Sequence, residues 1–126
     1  MLKNRNNLFF IFLLWLLSFS LEGNAADFKI VAFGDSLIAC NNVPASKKFT
    51  EQLQEALLAQ GYDVEIINEG MSGDTSAGGK SRIAKALAHA PDIIIIELGA
   101  NDMFRRVEPK IVKENLGEII ATAKES

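Results

Sequence analysis

The chain has one cysteine, Cys40, and one histidine, His89, among its 126 residues. A single cysteine forbids an internal disulfide. One residue of each type leaves no histidine–cysteine ligand set, so no metal site is expected. A lack of disulfides suits a domain stabilised by its core, and it does not exclude an oxidising compartment. No glycines fall in the G-x-G-x-x-G spacing, and Gly78-Gly79-Lys80 lacks the rest of a phosphate loop, so no cofactor is expected. Basic residues are not in excess. Without Lys3, Arg5 and Glu22 the chain carries eleven basic and fifteen acidic side chains, a net charge near −4. That balance argues against nucleic acid and anionic membrane surfaces as partners. Internal repeats and low-complexity stretches are also missing from residues 26–126.

No apolar run is long enough to cross a bilayer. The stretch Leu8 to Phe19 has twelve residues, whereas a spanning helix needs about 20. Lys3 and Arg5 precede it. Gly23-Asn24-Ala25 supplies small residues at −3 and −1 for cleavage after Ala25, with cleavage after Ala26 as the second choice. Residues 1–25 therefore read as a secretory signal peptide rather than an anchoring helix. No cysteine near the cleavage region supports lipid attachment. The expected product is periplasmic or secreted, without a stable membrane anchor. Its roughly 100 residues suffice for one small domain.

What remains alternates strand and helix. Phe28 to Phe33 reads as a first strand. Ser46 is placed to cap a helix running to about Gln60, with Phe49, Leu53, Ala56 and Leu57 inward and Gly61 as its stop. Val64 to Ile67 reads as a second strand. A helix from about Ser76 to His89 turns Ile83, Ala84 and Leu87 inward. Asp92 to Leu98 contains Ile93-Ile94-Ile95-Ile96, apolar on both faces as in a buried parallel strand. Glu108-Pro109 opens a last helix whose inner face is Val112, Leu116, Ile119, Ile120 and Ala123. Alternating elements imply a parallel sheet between two helical layers, a flavodoxin-like three-layer α/β/α fold. The first strand is expected between the second and third. The Ile-rich third strand is then left at an edge, an aggregation hazard unless further strands cover it. On this ground the C-terminal strands are expected to be missing, and residues 26–126 to be the N-terminal part of one domain.

In open α/β sheets ligands bind outside the carboxyl ends of the strands, where strand order reverses. Three loops belong at that edge. Gly34-Asp35-Ser36-Leu37 follows strand one, Ser72-Gly73-Asp74 follows strand two, and Gly99-Ala100-Asn101-Asp102 follows strand three. Ser36 is a candidate nucleophile for acyl transfer. Gly73 is a candidate backbone donor to an oxyanion, and Asn101 a candidate side-chain donor. In isolation, turn chemistry is the better reading of Ser36 and of Gly73 and an equal one for Asn101; their convergence is what favours the chemistry. Asp74 or Thr75 is expected to cap the following helix, and Asp102 to be a cap rather than a catalytic acid. His89 belongs before strand three, whereas Ser36 follows strand one. A strand of six residues separates those ends by roughly 20 Å, beyond proton-transfer reach. Cys40 reads as a small packing residue.

These three blocks resemble those of the SGNH (GDSL) hydrolases. The wording Asn68-Glu69-Gly70-Met71-Ser72-Gly73-Asp74-Thr75-Ser76 and Glu97-Leu98-Gly99-Ala100-Asn101-Asp102 is most similar to the periplasmic bacterial branch of acyl-CoA thioesterases, lysophospholipases and arylesterases. The resemblance covers about residues 27–124. It implies Ser36 as nucleophile, with its own amide, Gly73 and Asn101 as oxyanion donors. It also implies a catalytic aspartate and histidine in an Asp-x-x-His block, which this sequence does not contain. Ile38-Ala39-Cys40 departs from the branch, where the third position is commonly glycine.

The expected function is that of a serine hydrolase cleaving acyl esters or thioesters without a cofactor, carried on an incomplete chain. The alternative is a non-catalytic ligand-binding domain on the same scaffold. The leader generates a direct prediction: intact-mass analysis of exported protein gives a chain starting at Ala26 or Asp27. Recovery of membrane-embedded protein still beginning at Met1 would exclude the signal-peptide assignment.

Overall fold

The computed structural model describes residues 26–126; the signal peptide expected at residues 1–25 lies outside the described residues. Three parallel strands form one sheet: β1 (Phe28–Gly34), β2 (Val64–Gly70) and β3 (Ile93–Glu97), in the expected order β2-β1-β3. The register runs from Phe28 opposite Val64 to Gly34 opposite Gly70, and from Ile30 opposite Ile93 to Gly34 opposite Glu97. All three strands therefore end level, on Gly34, Gly70 and Glu97. The loops that follow start from one row.

The central strand is β1, and its Ile30 to Phe33 are all buried. The Ile run was expected to lie buried on both faces. It is instead only half-buried, with Ile93 50% exposed, because β3 is an edge strand and no described residue pairs with its outer side.

Among the described residues six helical segments surround the sheet. They are α1 (Ser36–Ala39), a 3-10 turn (Ala45–Lys47), α2 (Phe49–Ala59), α3 (Ser76–Leu87), α4 (Ala100–Phe104) and α5 (Pro109–Glu125). On one face α3 and α5 close the main core, where Val31, Phe33, Ile83, Ala86 and Ile119 are buried together. Pro109 occupies the first turn of α5, as expected. On the other face α2 packs along β2. No helix among the described residues is long and apolar enough to cross a membrane.

Several inward-facing positions differ from the sequence expectation, for identifiable reasons. Ser46 does not cap α2; it sits inside the 3-10 turn, and α2 starts at Phe49 without a side-chain cap. The inner face of α2 is Thr50, Leu53, Gln54 and Leu57, while Phe49 and Ala56 face solvent. The helix lies along the open edge of β2, where main-chain donors need partners. Gln54 Oε1 accepts the Ile66 N–H at 2.8 Å, and the Thr50 hydroxyl accepts from Asn68 Nδ2 at 3.2 Å. On α3 it is Ala86, not Ala84, that is buried. On α5 Ile120 is exposed and Asn115 is buried, because Asn115 Nδ2 donates to Ser76 Oγ at 3.1 Å.

Ile119 is fully buried between α5 and the sheet. Ile119→Ala is expected to lower unfolding free energy by about 2–5 kcal/mol, read from urea denaturation. A change within 0.5 kcal/mol, the scale of a surface substitution, would place α5 off the core.

Candidate functional site

The turn after β1 is built around Asp35, which is 1% exposed. It is the N-cap of α1, and its Oδ1 accepts the Leu37 N–H at 3.0 Å. Ser36 is the first residue of that helix and is exposed at the edge. The helix is pressed hard against the end of β2. A Cβ on Gly70 would collide with the main chain of Ile38 and Ala39, so glycine there permits the approach. Asn68 Nδ2 donates to the Ile38 carbonyl at 2.7 Å and fastens α1 from the same side. Cys40 ends α1 in the left-handed conformation, with φ +45°. This is the position where the resemblance leads one to expect glycine, and a side chain there costs about 1–2 kcal/mol. Its thiol donates to the Leu37 carbonyl at 2.9 Å.

The turn after β2 carries Gly73 at φ +80°. Among the described residues its N–H has no hydrogen-bond acceptor, while its carbonyl accepts from Arg105 at 2.9 Å. Asn41 Nδ2, beyond α1, donates to Ser72 Oγ at 3.0 Å. The turn after β3 carries Asn101 on α4, and Asn101 Nδ2 donates to Asp35 Oδ2 at 3.1 Å. A carboxamide nitrogen has two hydrogens, so one remains for another acceptor. The three loops are thus tied pairwise: first to second through Asn41, second to third through Arg105, third to first through Asp35. The convergence read from the sequence is present.

Asp102 is buried and caps a helix, though not its own. Its two oxygens accept from Ser76 N at 2.7 Å and Ser76 Oγ at 2.6 Å, which docks the start of α3 onto α4. Thr75 is the N-cap of α3 and accepts the Gly78 N–H at 3.2 Å.

Sequence reasoning missed Arg82. Its guanidinium, 13% exposed, pairs with Asp74 Oδ2 at 2.7 Å. It also donates to the Glu69 carbonyl and to the Gly34 carbonyl, each at 2.9 Å. It stacks 4.1 Å over the Phe33 ring. One side chain therefore joins the ends of β1 and β2 and the Gly73 turn. Only Asp74, eight positions away, is a sequence-visible partner, and that spacing matches no motif. Glu97 was missed as well. It ends β3 beside Asp35, and burial, then the Asp35 carboxyl, push its own carboxyl above the ordinary range.

His89 keeps its main chain at the amino end of the sheet, where its carbonyl accepts from Lys29 Nζ at 3.0 Å. Its ring reaches back along the α3 face and meets Glu69 Oε1 at 2.8 Å. Burial raises the Glu69 carboxyl, but His89 and Lys85 outweigh it and hold that carboxyl below its usual value. The ring is engaged there and makes no bond to Ser36. No group of three or more metal-ligating side chains exists among the described residues.

The GDSL-like lipase/acylhydrolase family matches residues 32–126. An arylesterase of Vibrio mimicus is 42% identical over 99 residues, covering 78% of this chain and 50% of the relative. Esterase TesA of Pseudomonas aeruginosa is 36% identical over 105 residues, covering 82% and 52%. Among solved structures, the SGNH-hydrolase family esterase AlinE4 superposes with a TM-score of 0.73 at 36% identity, covering 80% of this chain and 55% of that one. The chain thus spans about half the length of the curated relatives it matches.

Arg82 generates the prediction here. Arg82→Met leaves Asp74 buried without its cation, and breaking such a pair costs about 3–5 kcal/mol. Arg82→Lys is expected to recover only part of this, since an ammonium cannot reproduce the planar fork. Denaturant midpoints read both. A Met variant as stable as the parent would show that the edge is held by other contacts.

Proposed function

Because the chain belongs to the GDSL-like lipase/acylhydrolase family, we propose that residues 26–126 form the nucleophile-bearing N-terminal part of a single serine hydrolase domain. The observation that carries this reading is the tied set of three loops, with Ser36 exposed at the shared edge and Asn101 held to Asp35. Ser36 Oγ attacks the acyl carbonyl and its proton passes to a general base. The carbonyl oxygen becomes an oxyanion, stabilised by the N–H of Ser36, the N–H of Gly73 and Nδ2 of Asn101. The alcohol or thiol departs with a proton, leaving an acyl-Ser36 ester. Water then attacks that ester and releases the acid.

The substrate is a small-molecule acyl ester or thioester, of arylesterase, lysophospholipase or thioesterase type, with no nucleic-acid partner. The base is not His89, whose ring is bonded to Glu69. We take the base and its orienting acid to lie on an Asp-x-x-His segment outside residues 26–126. The half-length coverage of the relatives supports this. The leader pattern supports a periplasmic or secreted enzyme with no stable membrane anchor after processing.

Turnover of a p-nitrophenyl acyl ester tests the assignment. The chain as given and a form extended by its native downstream sequence are assayed together. Full turnover is expected of the extended form alone, with Ser36→Ala abolishing it and His89→Ala leaving it unchanged. Asn101→Ala is expected to lower it by about 10²–10³. An extended form that binds acyl ligands but never turns over would favour the non-catalytic binding domain. Strong activity of the 126-residue chain that His89→Ala removes would make His89 the base.

A further inference from the structure

We propose that Glu97 holds a proton on its buried carboxyl and donates it to Asp35, which makes Glu97 the positioning residue for both Asn101 and the Ser36 turn. The inference deepens the functional reading above, since it takes Ser36 and Asn101 as the reacting serine and an oxyanion donor.

The geometry begins with register. Glu97 stands opposite Gly34 at the last paired position of β1 and β3. Its carbonyl accepts the Asp35 N–H at 3.2 Å. Its side chain lies over Gly34, with Oε2 3.1 Å from the place a Cβ on that glycine would take. That oxygen is closed off from solvent and has no hydrogen-bond partner among the described residues. A buried carboxylate oxygen without a donor is strongly disfavoured.

The side chain that bears on Glu97, from the residue whose N–H its carbonyl accepts, is another carboxyl, that of Asp35. Asp35 has both oxygens engaged as acceptors, Oδ1 from Leu37 N–H at 3.0 Å and Oδ2 from Asn101 Nδ2 at 3.1 Å. Two ionised carboxylates in contact repel, whereas one proton between them makes a hydrogen bond. Asp35 accepts two N–H donors, whereas the one N–H beside the Glu97 carboxyl, that of Asp35 itself, is bonded to the Glu97 carbonyl and only weakly favours the ionised form, so the proton belongs on Glu97. Burial and the adjoining Asp35 carboxyl also favour the protonated form of Glu97. Among the described residues no cation acts on Glu97, and Arg105 at the end of α4 is bonded to the Gly73 carbonyl. The α1 helix, Ser36 to Ala39, has no charged side chain. Asp102 on α4 is bonded to Ser76. Arg82, on α3, is bonded to Asp74, Glu69 and Gly34.

The consequence is orientation. One hydrogen of the Asn101 carboxamide is fixed on Asp35, and this directs the other. The same carboxylate caps α1 and fixes the turn that carries Ser36. A third donor from Glu97 holds Asp35 against rotation. Glu97 acts through Asp35 and does not touch the reacting atoms.

Carboxyl carbon-13 NMR of the full chain tests this without any turnover. The Glu97 midpoint is expected above the ordinary value of 4.5, and Asp35→Asn is expected to lower it. Glu97→Gln retains an N–H donor and should leave the Asn101 side-chain NH2 resonances and the Leu37 amide exchange rate unchanged. Glu97→Leu should shift those resonances and speed Leu37 exchange by about tenfold or more. A Glu97 midpoint at or below 4.5, or a Leu variant indistinguishable from the Gln variant, would overturn the proposal. Should the Leu variant not fold, the titration and the Gln variant still decide. Failure of the hydrolase reading shows separately, as Ser36-independent turnover with the Glu97 midpoint still raised.

Discussion

Arg82 is the fastener on which the carboxyl edge depends. Parallel strands leave their terminal carbonyls pointing past the end of the ladder, where a loop must turn away at once. Gly34 and Glu69 both present such a carbonyl, and Arg82 bonds both while pairing with Asp74 on the next turn. An arginine suits the task because its planar fork has several donors in fixed directions and its flat face can rest on an aromatic ring, here Phe33. The guanidinium comes from the middle of α3, a helix already docked at its start through Ser76 and Asp102. A helix held at two points in this way serves as a rigid bar beneath the loops. The loops need no extensive packing of their own.

Above that bar, polar side chains join loop to loop, while below it the core is apolar. Asp35 has the central place in the upper layer. It caps the helix that starts with Ser36 and also receives Asn101, so the first and third loops share one anion. The close seat of α1 against Gly70 and the left-handed Cys40 show how tightly the first loop is folded down. The left-handed Cys40 is a local conformational cost, offset by contacts such as the Asn68 bond to the Ile38 carbonyl.

Much of this was legible in the amino-acid order. Strand positions and their order follow from apolar runs separated by helical periods, because both signals are long enough to register. The three loops could be placed together because strand ends in a parallel sheet share an edge. The short helices α1 and α4 have four and five residues, too few for a period to show. Thr50 and Gln54 are polar and carry no apolar period that could mark them; they face inward because the open edge of β2 needs acceptors and donors. Ile120 was read as inward because it extends the apolar stripe of α5, but the buried stripe turns through Asn115 toward Ser76 instead. Arg82 and Glu97 were invisible for a common reason. Their partners are main-chain carbonyls or a carboxyl distant in sequence, and no spacing rule encodes either.

The order β2-β1-β3 also fixes a sequence of events during synthesis. The middle strand is made first, yet both of its neighbours come later in the chain. β2 begins thirty positions after β1 ends, a delay of roughly 2–6 s at ordinary elongation rates. β3 follows only after the next helix. Throughout that interval Ile30, Val31, Ala32 and Phe33, the buried stretch of the central strand, have no strand to pair with. No local hairpin can shelter them, since parallel partners require a crossover. Of the three strands, the one destined for the centre of the sheet is therefore exposed earliest and longest, and the nascent chain depends on whatever holds β1 apart until its partners arrive.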